Sequence, residues 1–317
     1  MNYLVTGGAG FIGSHIAAYL CSQGQSVRVL DNFSSGKREN LSGLDLTVIE
    51  GDIRDPACVS AAVEGVDTIF HQAALCSVAR SMMEPALTHD INVTGTMNLL
   101  EAARKADVRR FVMASSSAVY GDSEVFPKHE SMPTDPMSPY AVSKLVCEHY
   151  CQLYYKAYGL DTVALRYFNV FGPRQNPDSE YSAVIPRFVR AMVQGVPPHI
   201  YGDGSQSRDF TYVNDIVQAN IAAATSSDAR GQVMNIACGN RWSLLDLVSR
   251  LENHITCDAD PIFEKARAGD VKHSQACIKK AQKLIAFAPE VDFDEGLRRT
   301  VDWFATQHHI PEIRLAV

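Results

Sequence analysis

Tyr140 and Lys144 are the two residues whose types and spacing most directly suggest chemistry. In a helix, a separation of four residues places both side chains on one face, so that the ammonium lies near the phenol. A neighbouring cation favours the phenolate and lowers the pKa of a Tyr from its usual value of ~10 towards that of a general base. Taken alone, the pair is equally consistent with an amphipathic helix that carries a solvated lysine, so the surrounding sequence must decide.

A glycine-rich turn near the start of the chain predicts a dinucleotide site. Residues 2–5 form a short apolar strand and residues 14–21 a helix, with Gly7, Gly10 and Gly13 between them. In such a unit Gly7 and Gly10 let the backbone approach a pyrophosphate, and Gly13 lets the helix pack on the strand. Amides at the helix N-terminus would bind the phosphates, whereas a glycine-rich hairpin is the alternative without a ligand.

Asp31 directly follows a second apolar strand, residues 26–30. Its distance from the glycine turn is close to the ~20 residues expected for a carboxylate that binds an adenosine ribose. A carboxylate accepts hydrogen bonds from a ribose 2′-hydroxyl and repels a 2′-phosphate, which predicts NAD rather than NADP. The cations Lys37 and Arg38 nearby leave NADP open.

Further apolar strands alternate with helical patterns, which predicts an α/β protein with a doubly wound parallel Rossmann sheet. These strands lie at residues 46–50, 67–71, 109–114, 162–167 and 233–236. In such a sheet the strand ends converge on one crevice, so the loops that follow would contact the cofactor. From these loops we expect Asp52 and Ile53 against an adenine, and Gln72, Ala73 and Ala74 where small residues permit close approach.

Composition limits the classes of function. The chain has 317 residues, a net charge of −7 and eight cysteines without a CxxC pair, so we expect reduced cysteines, no metal site and no nucleic-acid partner. No apolar run reaches the ~18 residues of a membrane span, and the N-terminus does not resemble a signal peptide. The sequence predicts a cytoplasmic protein without a membrane partner.

The glycine turn, Asp31, the segment Ser115-Ser116-Ser117-Ala118-Val119-Tyr120-Gly121 and the Tyr140–Lys144 pair together resemble the extended short-chain dehydrogenase/reductase family, in particular its nucleotide-sugar epimerases. On the residues alone, the three serines are also consistent with a polar loop. The resemblance implies that Ser116, Tyr140 and Lys144 are catalytic, Ser116 being the serine four positions before Tyr120. It implies NAD contacts from Gly7, Gly10, Phe11, Ile12, Gly13, Asp31, Asn32, Asp52, Ile53, Gln72, Ala73, Ala74, Asn92, Tyr140, Lys144 and Tyr167.

The resemblance also implies a UDP-sugar site. Asn169 and Arg208 would bind the diphosphate, Arg267 and Asp270 a phosphate and the uridine ribose, and the start of a helix at residues 184–194 would face the uracil. The expected substrate contacts are Ser117, Asn169, Val184, Ile185, Tyr201, Arg208, Arg267, Asp270 and Ser274. Residues 1–170, with about 210–238, would form the NAD-binding domain, and residues 171–209 and 239–317 a smaller, interleaved UDP-sugar domain.

Ser117 and Ala118 stand where related dehydratases and decarboxylases carry acidic residues, so the resemblance implies a 4-epimerase. Ser274 stands where hexose-specific relatives carry a Tyr, and a small residue leaves room for an N-acetyl group. We therefore expect interconversion of UDP-GlcNAc and UDP-GalNAc through a 4-keto intermediate, and the unacetylated UDP-Glc and UDP-Gal stay open as further substrates.

Two alternatives remain. A UDP-glucuronate or UDP-N-acetylglucosaminuronate 4-epimerase would need a cation near C6, for which Arg80 and Lys128 are candidates. A non-catalytic NAD-binding regulatory protein would be expected to lose Tyr140 or Lys144, and the chain has both. The resemblance further implies a homodimer in which the helices at residues 92–106 and 140–157 form a four-helix bundle across a two-fold axis.

Overall fold

The computed structural model describes residues 1–177, 183–255, 259–265 and 272–307. Strands and helices alternate over most of this length. The strands are β1 (Asn2–Thr6), β2 (Ser26–Asp31), β3 (Thr47–Glu50), β4 (Thr68–His71), β5 (Arg110–Ser116), β6 (Thr162–Tyr167), β7 (Val170–Phe171), β8 (His199–Tyr201), β9 (Ser207–Arg208), β10 (Thr211–Tyr212), β11 (Gln232–Ile236), β12 (Trp242–Ser243) and β13 (Ile262–Glu264).

The helices lie mainly between the strands of the large sheet and after it. They are α1 (Phe11–Ser22), α2 (Pro56–Val63), α3 (Val78–Met83), α4 (Pro85–His89), α5 (Gly95–Lys105), α6 (Pro139–Tyr158), α7 (Val184–Val193), α8 (Val213–Thr225), α9 (Leu244–His254), α10 (Lys279–Ile285) and α11 (Phe293–Gln307). The π-helical turn Asp90–Thr94 joins α4 to α5, so the predicted helix at residues 92–106 belongs to a longer helical segment.

The central sheet has seven strands in the order β11-β6-β5-β4-β1-β2-β3, and every pair in it is parallel. The chain runs outward from β1 in one direction and then returns to β4 on its other side, which creates a crevice at the carboxyl ends of β1 and β4. All residues of β4 and β6 are buried, as expected for strands covered on both faces. The predicted doubly wound sheet is confirmed.

Two apolar layers cover the sheet. On one face α1 and α8 contribute Ile16, Leu20 and Ile216, and on the other face α5 and α6 contribute Leu99 and Cys151. The helix connections between parallel strands produce this arrangement, because each crossover packs back on the sheet.

A third apolar cluster lies beyond the central sheet, where α7, α9 and α11 pack together through Phe188, Leu247 and Phe304. The rings of Phe210 and Phe293 stack in this cluster with centroids 5.3 Å apart. Three two-stranded sheets border it, β10-β7, β12-β9 and β13-β8. β11 lies after much of this region in the sequence and pairs with β6 in the central sheet, and the exact domain boundaries stay a prediction.

None of the described helices is long and apolar enough to cross a lipid bilayer.

Candidate active site

Helix α6 carries the predicted acid–base pair, and its start is encoded locally. Ser138 is the N-cap and accepts a hydrogen bond from the Ala141 amide at 3.2 Å, while Pro139 occupies the first helical position. Gly159 ends the helix with a φ of 72°. Tyr140 and Lys144 therefore lie on successive turns of one face, and both are buried.

The three predicted catalytic residues meet at the carboxyl end of β5. The hydroxyl of Ser116 lies beside that of Tyr140 and lowers its pKa. Lys144 Nζ lies 6.0 Å from the centre of the Tyr140 ring and donates to the carbonyl of Ala114 at 2.8 Å. Because Ala114 and Ser116 both belong to β5, this strand fixes the position of Lys144 and of the Tyr140 hydroxyl at once.

Burial determines the titration of this pair. Loss of solvation raises the pKa of Tyr140 above its usual value, against the opposing hydrogen bond from Ser116, and burial lowers the pKa of Lys144. The expected lowering of the Tyr140 pKa by Lys144 is therefore not found in the polypeptide by itself. The physical reason is that desolvation of a buried phenolate outweighs an ammonium that is 6.0 Å from the ring and already bound to a carbonyl.

The three serines of the β5 end have different partners. Ser115 is buried and donates to Glu148 on α6, whereas Ser116 meets Tyr140 and also accepts from the Ala118 amide at 3.2 Å. Ser117 begins the short turn Ser117–Tyr120 and is partly exposed. Of the three serines, Ser116 is thus the one beside Tyr140, and its catalytic role stays a prediction.

The glycine turn forms a narrow backbone cradle at the carboxyl end of β1. Gly7 has a φ of +65°, and a Cβ there would lie 2.7 Å from the Ala73 nitrogen. A Cβ on Gly13 would collide with the carbonyl of Gly7. Gly10 is the N-cap of α1, whose first turn, with Phe11 and Ile12, has no capping side chain and no acidic residue among the described residues. These features fit a pyrophosphate held by helix amides.

Asp31 lies beside this cradle, at the end of β2. Its carboxylate accepts the amides of Ala9 at 2.9 Å and Phe33 at 2.8 Å, which fixes its orientation next to the glycine turn. Arg38, one of the two cations that left NADP open, lies 4.0 Å above the Phe33 ring and is ion-paired with Glu50. The charge of Arg38 is thus already balanced by a carboxylate on β3.

The predicted adenine-side residues form a polar cluster. Arg54 binds the Asp52 carboxylate at 2.8 Å, and Asn32 donates to the same carboxylate at 2.9 Å. These contacts, chiefly that of Arg54, hold the pKa of Asp52 well below its usual value. Ile53 is buried and packs against Gly95. A Cβ added to Gly95 would lie 2.5 Å from the Ile53 side chain. The cluster connects the ends of β2 and β3.

The loop after β4 carries Gln72, Ala73 and Ala74, of which Ala73 faces Gly7. Gln72 donates to the Tyr167 hydroxyl at 3.2 Å, and burial raises the pKa of Tyr167 to about 12. Asn220 on α8 donates to the same hydroxyl at 2.8 Å. Sequence reasoning missed Asn220, although a polar residue on the apolar face of α8 was an available signal.

Asn92 lies in the π-helical turn, and its amide group is engaged with the polypeptide. Its oxygen accepts the Leu75 amide at 2.7 Å, and its nitrogen donates to the Leu75 carbonyl at 3.1 Å and to Ser143 at 2.9 Å. Asn92 therefore positions the loop after β4 against α6, and its expected contact with the cofactor stays a prediction.

A cavity of about 230 Å³ lies within the outer region, where β7, α7, β8 and β9 meet. Five of the predicted substrate residues line it: Asn169, Val184, Ile185, Tyr201 and Arg208. Ser117 and Ser274 are not among its described lining residues, and Arg267 and Asp270 lie outside the described part of the chain. Arg187, on α7, also lines the cavity and was missed, although it follows Val184 by about one helical turn.

The two cations considered for a uronate carboxylate have other partners. Arg80 is ion-paired with Glu84 at 2.7 Å on the surface. Lys128 is 3% exposed, donates to the carbonyl of Ser123, and its Nζ lies 4.3 Å above the Phe126 ring.

Known proteins resemble the chain along nearly its whole length. Residues 3–237 match the NAD dependent epimerase/dehydratase family. A putative UDP-glucose 4-epimerase of Methanocaldococcus jannaschii is 40% identical over 95% of this chain and 97% of that protein.

Solved structures agree. A UDP-N-acetylglucosamine 4-epimerase from Methanobrevibacter ruminantium M1, in complex with UDP-N-acetylmuramic acid, is 44% identical with a TM-score of 0.93 and covers 96% of this chain and 98% of that one. A UDP-glucuronic acid 4-epimerase from Bacillus cereus, in complex with UDP-glucuronic acid and NAD, is 33% identical with a TM-score of 0.90 and covers 97% and 100%. The predicted family and cofactor are confirmed. The chain belongs to the NAD-dependent epimerase/dehydratase family; within that family it is a UDP-sugar epimerase that uses NAD.

Proposed function

We propose that the protein is a UDP-sugar 4-epimerase that interconverts UDP-GlcNAc and UDP-GalNAc. The observation that carries this proposal is the meeting of Ser116, Tyr140 and Lys144 at the carboxyl end of β5, beside the crevice that contains the glycine cradle. The chain thus presents one buried acid–base group, a second hydroxyl and a cofactor site in a single crevice.

In this mechanism Tyr140 acts on the hydroxyl at C4 of the sugar. Ser116 holds O4 by a hydrogen bond, and Tyr140 in its phenolate form takes the O4 proton. The glycine cradle and Asp31 would hold NAD, which would supply reversible hydride transfer at C4, once on each face of the sugar ring. Tyr140 then gives the proton back to O4, so the configuration at C4 inverts without net oxidation.

The protonation state of Tyr140 is the demanding part of this cycle. Since burial raises its pKa, positive charge close to the phenol must favour the phenolate. Lys144 supplies one such charge from the chain, and the oxidised nicotinamide ring carries another. Before a sugar binds, the Ser116 hydroxyl also favours the phenolate, because it lowers the pKa of Tyr140.

The absence of acids beside Ser116 in the sequence supports epimerisation over dehydration or decarboxylation, because Ser117 and Ala118 offer no carboxyl group for a second proton transfer. The partners of Arg80 and Lys128 support a neutral sugar over a uronate, because Arg80 is already paired with Glu84 and Lys128 already donates to the Ser123 carbonyl. The small size of Ser274 supports the acetylated pair, and its amide donates to the Ser207 carbonyl at 3.0 Å, which places its segment beside β9, the strand that contains Arg208.

We also propose a homodimer through α5 and α6. Apolar residues of α6 face outward, with Val142 45% and Leu153 49% exposed. Such a surface supports burial against a second copy, and light scattering of the NAD-loaded protein tests it.

Replacement of the general base tests the reaction. Tyr140→Phe removes the only group assigned to the proton transfer, so we expect turnover of UDP-GlcNAc to fall by at least about 100-fold while the protein keeps its bound NAD. The readouts are product formation and mass spectrometry of the bound cofactor. Tyr158→Phe, which changes a 55% exposed tyrosine at the other end of α6, is the matched control. Wild-type turnover by the Tyr140→Phe protein would refute the assignment.

Replacement of Ser274 tests the choice of sugar. Ser274→Tyr would fill the space proposed for the N-acetyl group, so we expect KM to rise more for UDP-GlcNAc than for UDP-glucose, by about 10-fold or more. Ser274→Ala keeps the side chain small and should leave the preference unchanged. An equal loss on both substrates would argue against this role of Ser274.

A further inference from the structure

Asp209 is a fully buried carboxylate that the proposed reaction does not use. It accepts backbone amides from Cys238, Gly239 and Ala276, each at 3.0 Å. Burial of a carboxylate costs free energy unless hydrogen bonds replace its water. The three amides take the place of that water, so the position of the carboxylate is tightly coupled to the positions of its three donors.

The donors come from different parts of the fold. Cys238 and Gly239 follow β11 and thus belong to the end of the central sheet. Ala276 belongs to the segment 272–277, which runs beside β9: the Ser207 amide donates to Lys272 and the Ser274 amide donates to Ser207, both at 3.0 Å. A single side chain therefore joins the NAD-binding sheet to two segments on the substrate side.

The same segments carry the proposed diphosphate contacts. Arg208 directly precedes Asp209, and its guanidinium donates to the Lys272 carbonyl at 3.1 Å. The Asn169 side chain donates to the backbone carbonyl of Asp209 at 3.4 Å, and the Asn169 carbonyl accepts the Thr211 amide at 3.2 Å. Asn169 also has a φ of 29°, a conformation that costs a residue with a side chain and needs support from its surroundings.

We propose that Asp209 is the positioning residue of the UDP-sugar site. It holds Asn169, Arg208 and the segment with Ser274 in the arrangement that binds the diphosphate and selects the sugar. Asp209 itself is not among the described residues that line the cavity, so it acts through these neighbours. This inference rests on the proposed function, because that function assigns the diphosphate to Asn169 and Arg208.

The first test is the binding of UDP to the NAD-loaded Asp209→Asn protein. The Asn amide group presents N–H donors to backbone amides that are themselves donors, so the clamp is lost on one side. We expect the Kd for UDP and the KM for UDP-GlcNAc to rise by about 10-fold or more, while kcat stays within about 3-fold of the wild-type value. This is the pattern expected when the lost interaction binds the ground state and the transition state equally. Isothermal titration calorimetry measures the UDP affinity without reference to turnover.

Asp215→Asn is the matched control. Asp215 is also a buried carboxylate, with 2% exposure, and it accepts the Glu290 amide at 2.9 Å on the α8 side of the fold. Its replacement should lower stability but leave the affinity for UDP unchanged. Equal losses of UDP affinity in both variants, or none in Asp209→Asn, would overturn the proposal.

A second measurement needs no variant and covers the case that Asp209→Asn does not fold. If Asp209 couples its segments, UDP should slow amide hydrogen exchange together in peptides covering residues 207–210, 238–240 and 272–277 of the wild-type protein. Protection of residues 207–210 alone would refute the coupling.

The outcomes separate the two proposals. If the protein does not epimerise UDP-GlcNAc but its UDP binding still depends on Asp209, the positioning role stands and only the proposed reaction is rejected. A wild-type protein that does not bind UDP would reject both.

Discussion

His71 lies at the end of β4 between two hydroxyl groups. Its Nδ1 is 2.7 Å from Thr6 Oγ1 and its Nε2 is 2.8 Å from Thr96 Oγ1. Burial, helped by the nearby charge of Lys144, lowers the pKa of His71 to about 3. The folded protein therefore holds this ring neutral, whereas the unfolded chain binds a proton below its ordinary pKa of 6.5.

This difference predicts acid sensitivity. The stability that the neutral ring contributes is complete above pH ~6.5 and is lost as the pH falls through the window towards ~3, by up to about 1.4 kcal/mol per pH unit. We expect His71→Asn to flatten the fall in the free energy of unfolding between pH 6 and 4 in urea titrations. The exposed His89→Asn is the control. A wild-type slope in His71→Asn would contradict this explanation.

At the level of single residues, the type and spacing of Tyr140 and Lys144 were sufficient to predict their shared helix face. The direction of the Tyr140 pKa in the polypeptide was not predictable, because it depends on burial that distant segments create. The three serines likewise look alike in the sequence, and only contacts with Glu148 and Tyr140 distinguish Ser115 from Ser116.

Glu148, one turn beyond Lys144 on α6, forms a buried ion pair with Arg166 on β6. Glu148 and Arg166 form two hydrogen bonds, at 2.7 and 2.8 Å, and are 2% and 5% exposed. The Arg166 guanidinium also lies 4.7 Å from the centre of the Tyr120 ring. Through Ser115 and Glu148, this pair connects the helix of the acid–base residues to β5 and β6.

Removal of one partner should be costly, because it leaves a buried charge without compensation. We expect Glu148→Gln to lower the free energy of unfolding by about 3–5 kcal/mol. The control Glu84→Gln breaks the exposed pair with Arg80 and should cost less than about 1 kcal/mol. Chemical denaturation measures both values. If the double variant Glu148→Met with Arg166→Met is as unstable as Glu148→Gln, the unpaired charge is not the cause.

Local signals predicted helices such as α6 and α7 to within a few residues, because caps such as Ser138 and Gly159 act over one turn. They did not predict the π-helical turn Asp90–Thr94. There the side chain of Asn92 binds Leu75 and Ser143, which are distant in sequence, so the deviation from a regular helix accompanies tertiary contacts.

For the whole molecule, the alternation of strands and helices predicted the doubly wound sheet, and the position of the glycine turn predicted the crevice. Residues of the cavity were predicted only through the family resemblance, because its walls come from β7, α7, β8 and β9, which meet by long-range packing. Arg187, which lines the same cavity, was missed although it follows Val184 by about one helical turn, because only the long-range packing shows that this helix face meets the cavity.

The Asp209 clamp has a consequence for the construction of chimeric enzymes. An engineer who grafts the loops of a relative onto this scaffold to obtain a new sugar preference would naturally exchange residues 207–210 or 272–277 separately. Since the amides of Cys238, Gly239 and Ala276 converge on one carboxylate, the grafts must include all three segments from the same donor. Recombination libraries should therefore place their crossovers outside this set, so that the clamp is inherited as a unit.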